Sequence, residues 1–382
     1  MSKQCARQRL WLLVVYAAGV LVATMQRGVW NRDHTTFSIF RQSFLHLAQH
    51  QNLYAAYPAE QGAAAADLFK YSPSAAVLFA PLSLIPFPVA LLLWNLLNAG
   101  LLIYAVTKLL PPARANLALL LLAPEVFVAV QSSSSNALVT ALILLAAFAY
   151  EEGRLLQAGY AVVIGAAIKI FPLAGFVFAA LQRRKARAAV TAAVALVVVL
   201  ALPLLVVSPH ELVQQYRWWF AVETSDARDM LFGLSLMRQL RDWGNITWPN
   251  WTIQLAGTLV FLLPLLLRRE RWASPTFRIE YLCSLLIFVV LFNHQAERQS
   301  FIIAAAGSVI WFVTKPATLE RTILLALALV GVPTVPYLAL WLVIHVDLLR
   351  AAPTPRGPSL VEQKPEPQAF LRRWSGRYRA AS

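Results

Sequence analysis

Residues 31–73 read NRDHTTFSIFRQSFLHLAQHQNLYAAYPAEQGAAAADLFKYSP. The stretch is a long polar interruption between two hydrophobic blocks, and it separates aqueous loop from membrane helix in this chain. It holds three of the six histidines, together with Asp33, Asp67 and several basic residues. Phe37, Phe40, Phe44 and Leu47 recur at helical spacing, and Asp33, Thr35 or Thr36 can cap the start. The pattern predicts an amphipathic helix lying in the membrane interface, with Arg41 and the histidines on or near its polar side.

The rest of the chain sets the class. Of 382 residues, 59% are hydrophobic and 13% charged. A soluble domain is about half apolar and about a quarter charged. The excess falls in repeated long blocks rich in Ala and Leu, which indicates an all-α polytopic membrane protein. The ten-residue alternation of a β-barrel is missing. The net charge of +15 does not indicate nucleic acid, because the basic residues sit at the ends of the apolar blocks. There they act as topology signals and headgroup contacts, so membrane lipids are the expected partner. Cys5 and Cys283 give neither a disulfide framework nor metal spacing. No cofactor motif is present. With no Asp-x-Asp pair, no metal is expected.

Lys3, Arg7 and Arg9 precede the first block and place it with its start in the cytoplasm. Leu10–Gln26 shows no clean cleavage site and is read as a retained helix. The block from Tyr71 to Leu110 is too long for one helix, and Pro86-Phe87-Pro88 divides it into two expected spans. Two spans put Lys108 and Arg114 outside, against the charge rule. A broken, re-entrant pair around Pro124 would still keep Gln131 outside. Asn95 and Asn98 are expected to bond neighbouring helices. Two half-helices are expected to meet near Lys169 and Pro172 at the outer face. Arg183, Arg184, Lys185 and Arg187 then mark the cytoplasm. The second outer loop, 208–250, is dense in Tyr and Trp, either as an interfacial belt or as rings for sugar or lipid. The reading is one integral-membrane domain over 1–350, with the first outer loop at 28–73. A basic, Pro-rich cytoplasmic tail over 351–382 is expected to be disordered. Roughly ten to twelve spans or half-spans result.

On this topology the first loop, the Gln131 and Lys169 turns and the Asn293–Arg298 cluster face one side. Carboxylates, a histidine and cations beside a membrane suit transfer from a lipid-linked donor. A carboxylate or His294 accepts a proton from the acceptor hydroxyl. Cations, Lys169 and Arg298 first, stabilise charge growing on a phosphate leaving group. Each has a plainer alternative. Asp33 can be a helix cap, Asp67 a surface charge and Lys169 a snorkelling side chain, while His294 and Glu297 can belong to an ordinary helix end.

Several runs resemble the family-87 glycosyltransferases of the GT-C superfamily. They are Asn52-Leu53-Tyr54, then Phe69-Lys70-Tyr71-Ser72-Pro73, Pro81-Leu82 with Leu84-Ile85-Pro86, and Leu93-Trp94-Asn95-Leu96-Leu97-Asn98. Gln131 with Asn136 and Ala167-Ile168-Lys169-Ile170-Phe171-Pro172 complete the set. The resemblance covers most of Leu10 to about Phe312. It implies a GT-C-like bundle and a hexosyltransferase, typically a mannosyltransferase, that uses a polyprenyl-phosphate sugar at the extracytoplasmic face. The acceptor would be a lipid or glycan and the setting a bacterial inner membrane. The resemblance also implies an essential acid in the first outer loop. Asp33 is best placed for it. Thr35 and Thr36 stand before Phe37 where the family has an Asp near its Phe-x-x-Phe run, which keeps Asp67 as the reserve. His294 resembles a late-loop histidine of the family, with Glu297 beside it. Lys70, Tyr71, Gln131 and Asn136 are the substrate-binding candidates in the matched runs. The competing class is a membrane transporter or lipid flippase of the cell envelope.

Overall fold

The computed structural model describes residues 3–30, 35–56, 68–229, 234–330 and 334–350. Asp33, Asp67 and the 351–382 tail lie outside the described residues. Among these residues all regular structure is helical. The order is α1 (Lys3–Met25), α2 (Thr35–Ala48), α3 (Pro73–Leu78), α4 (Ala80–Ser83), α5 (Phe87–Leu109), α6 (Pro112–Gln131), α7 (Asn136–Glu151), α8 (Leu155–Ile168) and α9 (Val177–Ala180). Then follow α10 (Lys185–Ala201), α11 (Pro209–Asp229), α12 (Leu236–Gly244), α13 (Asn250–Leu267), α14 (Pro275–Leu291), α15 (Phe301–Thr314), α16 (Leu319–Val330) and α17 (Thr334–Arg350). Five helical stretches are long and apolar enough to cross a membrane: Lys3–Trp30, Phe87–Leu109, Pro112–Gln131, Lys185–Leu205 and Asn250–Leu267. Shorter apolar helices, α7, α8 and α15 among them, fill the interior.

The bundle has a basic end and a polar end. α1 runs parallel to α6. Arg9 Nε donates to Asn116 Oδ1 at 2.5 Å, the Tyr16 hydroxyl donates to the Leu119 carbonyl at 2.7 Å, and Gln131 Nε2 reaches Gln26 Oε1 at 3.2 Å. The α5–α6 turn therefore lies beside the chain start. Glu151 at the end of α7 pairs with Arg278 at the start of α14. Lys315 after α15 pairs with Glu280 at 2.5 Å. The Arg271 guanidinium donates to the Leu348 carbonyl near the end of α17, at 2.8 Å.

This arrangement corrects two expectations. The block from Tyr71 to Leu110 holds one span, since α3 and α4 have six and four residues, too short to cross. α5 alone crosses, and Lys108 and Arg114 fall at the basic end with Arg9, as the charge rule requires. There is also no break at Pro124. α6 runs unbroken from Pro112 to Gln131. A proline removes one backbone donor, and neighbouring helices make that tolerable within a packed bundle.

α2 has the expected amphipathic pattern, and protein takes up its apolar stripe. Phe37, Phe40 and Leu47 have no exposed surface. Phe40 stacks on Phe79 at 4.6 Å and meets Trp94 edge-on at 5.3 Å. Arg41 donates to the carbonyls of Leu82 and Ile85, at 3.3 and 2.8 Å, and so satisfies the open end of α4. Asn95 donates to Thr24 on α1 at 3.1 Å, while Asn98 accepts from the Leu138 amide on α7 at 2.9 Å. The two asparagines thus tie α5 to both its neighbours.

Candidate active site

The polar end encloses a cavity of about 290 Å³. Its walls come from five places in the chain: the Leu68–Ser72 segment, the α6–α7 turn, the break after α8, the middle of α11 and the α14–α15 turn. Thr36 and Ile39 of α2 add a sixth piece.

The break after α8 is local chemistry. Lys169 is extended, with φ −144° and ψ 129°, and its amide closes α8 on the Gly165 carbonyl at 2.8 Å. The chain then turns back through a 3-10 segment, Phe171–Phe176, with Pro172 in its first turn. Gly165 permits the reversal, because a Cβ there would lie 3.1 Å from Pro172 Cβ. Ser72 holds the facing loop to the break. Its amide and hydroxyl both donate to the Ala167 carbonyl, at 3.1 and 2.8 Å. That carbonyl is one of the four a helix C-terminus leaves without an intrahelical partner.

Lys169 stands in the wall with no ion pair among the described residues. Its Nζ lies 5.9 Å from the centre of the Phe171 ring. Desolvation in the wall works against its ammonium, and the nearby charge of Glu297 favours it. The Glu297 carboxylate accepts from Gln299 Nε2. His294 and Asn293 line the same side.

The α6–α7 turn contributes Ser134, Ser135 and Asn136. Ser133 sits at φ 51°, a left-handed conformation in which a non-glycine residue is uncommon. It is held by Trp94, whose indole N–H donates to the Ser133 carbonyl at 2.8 Å. Asn136 is fully buried and Ser135 is 1% exposed. Ser135 Oγ and Asn136 Oδ1 have no hydrogen-bond partner among the described residues. Buried polar atoms are normally paired, so this wall is suited to a hydroxylated or phosphorylated ligand.

Of the sequence-derived candidates, Lys70, Tyr71, Asn136, Lys169, His294 and Glu297 share the cavity. Gln131 and Arg298 are not in its wall. Both Arg298 guanidinium NH2 groups bind Glu125, at 2.6 Å each, and Gln131 bonds Gln26. The sequence displays the Arg298 charge without its partner, which lies 173 residues away. Asp33 and Asp67 lie outside the described residues.

Two cavity residues stand outside the sequence-derived site candidates; in the sequence Trp219 is grouped only with the second-loop aromatics, as belt or stacking rings. Trp219 lines the wall and donates its indole N–H to the Lys70 carbonyl at 3.3 Å. Glu223 is one turn further along α11. It lies close to Tyr54, whose hydroxyl is pushed well above its usual pKa by burial first, then by Tyr216 and Glu223. The signal was their four-residue spacing on one helical face. The second-loop aromatics divide accordingly. Trp243, Trp248 and Trp251 are more than 60% exposed, as belt residues are, whereas Trp219 faces the cavity.

The glycosyltransferase family 87 pattern matches residues 69–316. The chain belongs to glycosyltransferase family 87. The matched region runs from the residue before Lys70 to just beyond α15, so it contains every cavity wall except α2 and Leu68. A family-87 member is a transferase, acting on a sugar donor and an acceptor. No curated protein and no solved structure matches the chain.

Proposed function

We propose that this protein moves a hexose, mannose in the first instance, from a polyprenyl-phosphate donor to a hydroxyl of a lipid or glycan acceptor. The observation that carries the reading is the polar cavity at the end opposite the basic residues, with Lys169 beside Glu297. By the positive-inside rule that end is extracytoplasmic, in a bacterial inner membrane. The acceptor hydroxyl gives its proton to a base as its oxygen attacks the anomeric carbon. The bond from that carbon to the phosphate oxygen breaks, and polyprenyl phosphate leaves with the electron pair. Lys169, with Lys70 nearby in the wall, stabilises that charge. Glu297 and Glu223 are the carboxylates in the wall that can take the proton, with His294 as a relay or an orienting group. Asp33 and Asp67 are the first-loop candidates for the same role. Ser135 and Asn136 would bond the sugar hydroxyls, and Trp219 offers a ring face to the pyranose. The family's chemistry needs no cofactor in this scheme.

The test is full-length protein in vesicles with labelled polyprenyl-phosphate mannose. Formation of a new glycoside, lost in Glu297→Gln, Asp33→Asn or Asp67→Asn, supports the reading and names the base. Label that crosses the bilayer with no new glycosidic bond supports a flippase and overturns it.

A further inference from the structure

We infer that the basic end carries a second binding site, built for the phosphate-bearing headgroup of an anionic lipid. Three turns meet there, α7–α8, α9–α10 and α13–α14, around a cavity of about 640 Å³. Its acids are already engaged. Glu151 binds Arg278 through two guanidinium nitrogens, and Glu270 binds Arg268 at 3.1 Å. Arg183, Arg184, Arg187 and Arg269 line the same cavity and have no ion-pair partner among the described residues. Lys185 adds a fifth cation, its Nζ 5.1 Å from the centre of the Trp272 ring.

The general bias of basic residues towards the cytoplasm does not produce this geometry. Several other cations at the same end have partners of their own: Arg9 has Asn116, Lys315 has Glu280 and Asp347, and Arg321 has Asp347. Here five charges, four from the α9–α10 turn and one from the α13–α14 turn, line one concave volume and have no ion-pair partner among the described residues. A second observation points to a ligand. Tyr150 lines the cavity, is 3% exposed, and its hydroxyl has no hydrogen-bond partner among the described residues. A phosphate oxygen would accept from it while the arginines supply paired donors.

The chemistry favours an amphiphile over free phosphate. The cavity shares Glu151 and Arg278 with a narrow apolar slot of about 30 Å³, lined also by Phe148, Phe178 and Leu282. A basic pocket between helices at the cytoplasmic end is the arrangement that takes anionic lipid headgroups. The site lies at the end opposite the sugar cavity, and its occupancy does not depend on the transferase reading.

The experiment titrates detergent-purified full-length protein with tetraoleoyl cardiolipin, dioleoyl phosphatidylcholine or inorganic phosphate. Native mass spectrometry reads the bound lipid, and the unfolding midpoint reads the stabilisation. Cardiolipin is expected to bind and raise the midpoint, with the other two inert. Replacing Arg183, Arg184, Arg187 and Arg269 together by Ala should weaken cardiolipin at least about tenfold. Tyr150→Phe, which keeps every charge and so the topology, should weaken it about threefold. Equal binding of phosphatidylcholine, or unchanged cardiolipin affinity in Tyr150→Phe, overturns the site. A midpoint shift reproduced by inorganic phosphate, with nothing added by cardiolipin, overturns the lipid assignment.

Discussion

Glu125 and Arg298 form a two-pronged ion pair, each carboxylate oxygen 2.6 Å from a separate guanidinium NH2 group. Glu125 is 3% exposed and follows Pro124 inside α6. Arg298 opens the short 3-10 turn that leads into α15. The pair therefore fixes the turn carrying His294 and Glu297 to a helix with an early place in the chain. A double-mutant cycle of Glu125→Gln and Arg298→Gln, read by thermal unfolding in detergent, should give a coupling of about 1–3 kcal/mol. A coupling near zero would mean that the turn is held by other contacts.

Lys169 stands in the cavity wall without an ion pair among the described residues. Lys169→Met should leave the unfolding midpoint nearly unchanged and lower kcat by about 10²–10³ fold. Lys169→Arg should recover part of that loss, since the charge returns in a different shape. Wild-type turnover in the Met variant would remove the residue from the chemistry.

Gly307 lets α15 approach α14 closely. A Cβ at this position would lie 2.6 Å from the Cys283 carbonyl oxygen and 3.0 Å from Leu286 Cβ. Small residues at helix contacts are what allow backbones to meet in a membrane. Gly307→Ala should destabilise the protein by about 1–3 kcal/mol, measured as a lower unfolding midpoint. Gly100 is the control: a Cβ there would meet nothing within 4 Å, so Gly100→Ala should be tolerated.

Glu211 caps α11 and ties it to the first loop. Its carboxylate accepts from the Ser208 amide at 2.8 Å and lies 3.0 Å from His50 Nδ1. The Ser208 amide, then its hydroxyl, hold the Glu211 pKa below the usual carboxylate value, with His50 adding to the effect. A depressed carboxylate stabilises the fold above its unfolded pKa and loses that contribution as pH falls through the folded one. Hydrogen-exchange protection at the start of α11, taken relative to the intrinsic amide rate at each pH, should therefore fall in wild type between neutral pH and the acid side of the carboxylate range. In Glu211→Gln the protection should already be low at neutral pH and change little.

The helical membrane class was legible because apolar blocks and basic flanks are local signals, and the cavity residues Lys169 and His294 stood out as charges beside apolar helix. Asn95 and Asn98 were legible too, because a polar amide inside a span must find a partner. The block from Tyr71 to Leu110 misled because two short helices and one span have the same hydropathy as two spans. α2 shows the related limit: an apolar stripe reads alike whether lipid or protein covers it. Arg298 and Trp219 were opaque in opposite ways. The first is a charge whose partner is far away in sequence, and the second is an aromatic whose belt-like surroundings hide a different neighbour.

The parallel pairing of α1 with α6 bears on how the protein is made. Tyr16 waits for Leu119, and Cys5 for Asn116, separations of 103 and 111 residues. At about 5–20 residues per second, synthesis needs several seconds to supply them. During that interval α1 sits in the bilayer with its Tyr16 hydroxyl short of its partner, a cost that lipid cannot relieve. α1 is thus held in register only once α6 has been made, and until then its position depends on whatever holds nascent helices at the insertion site.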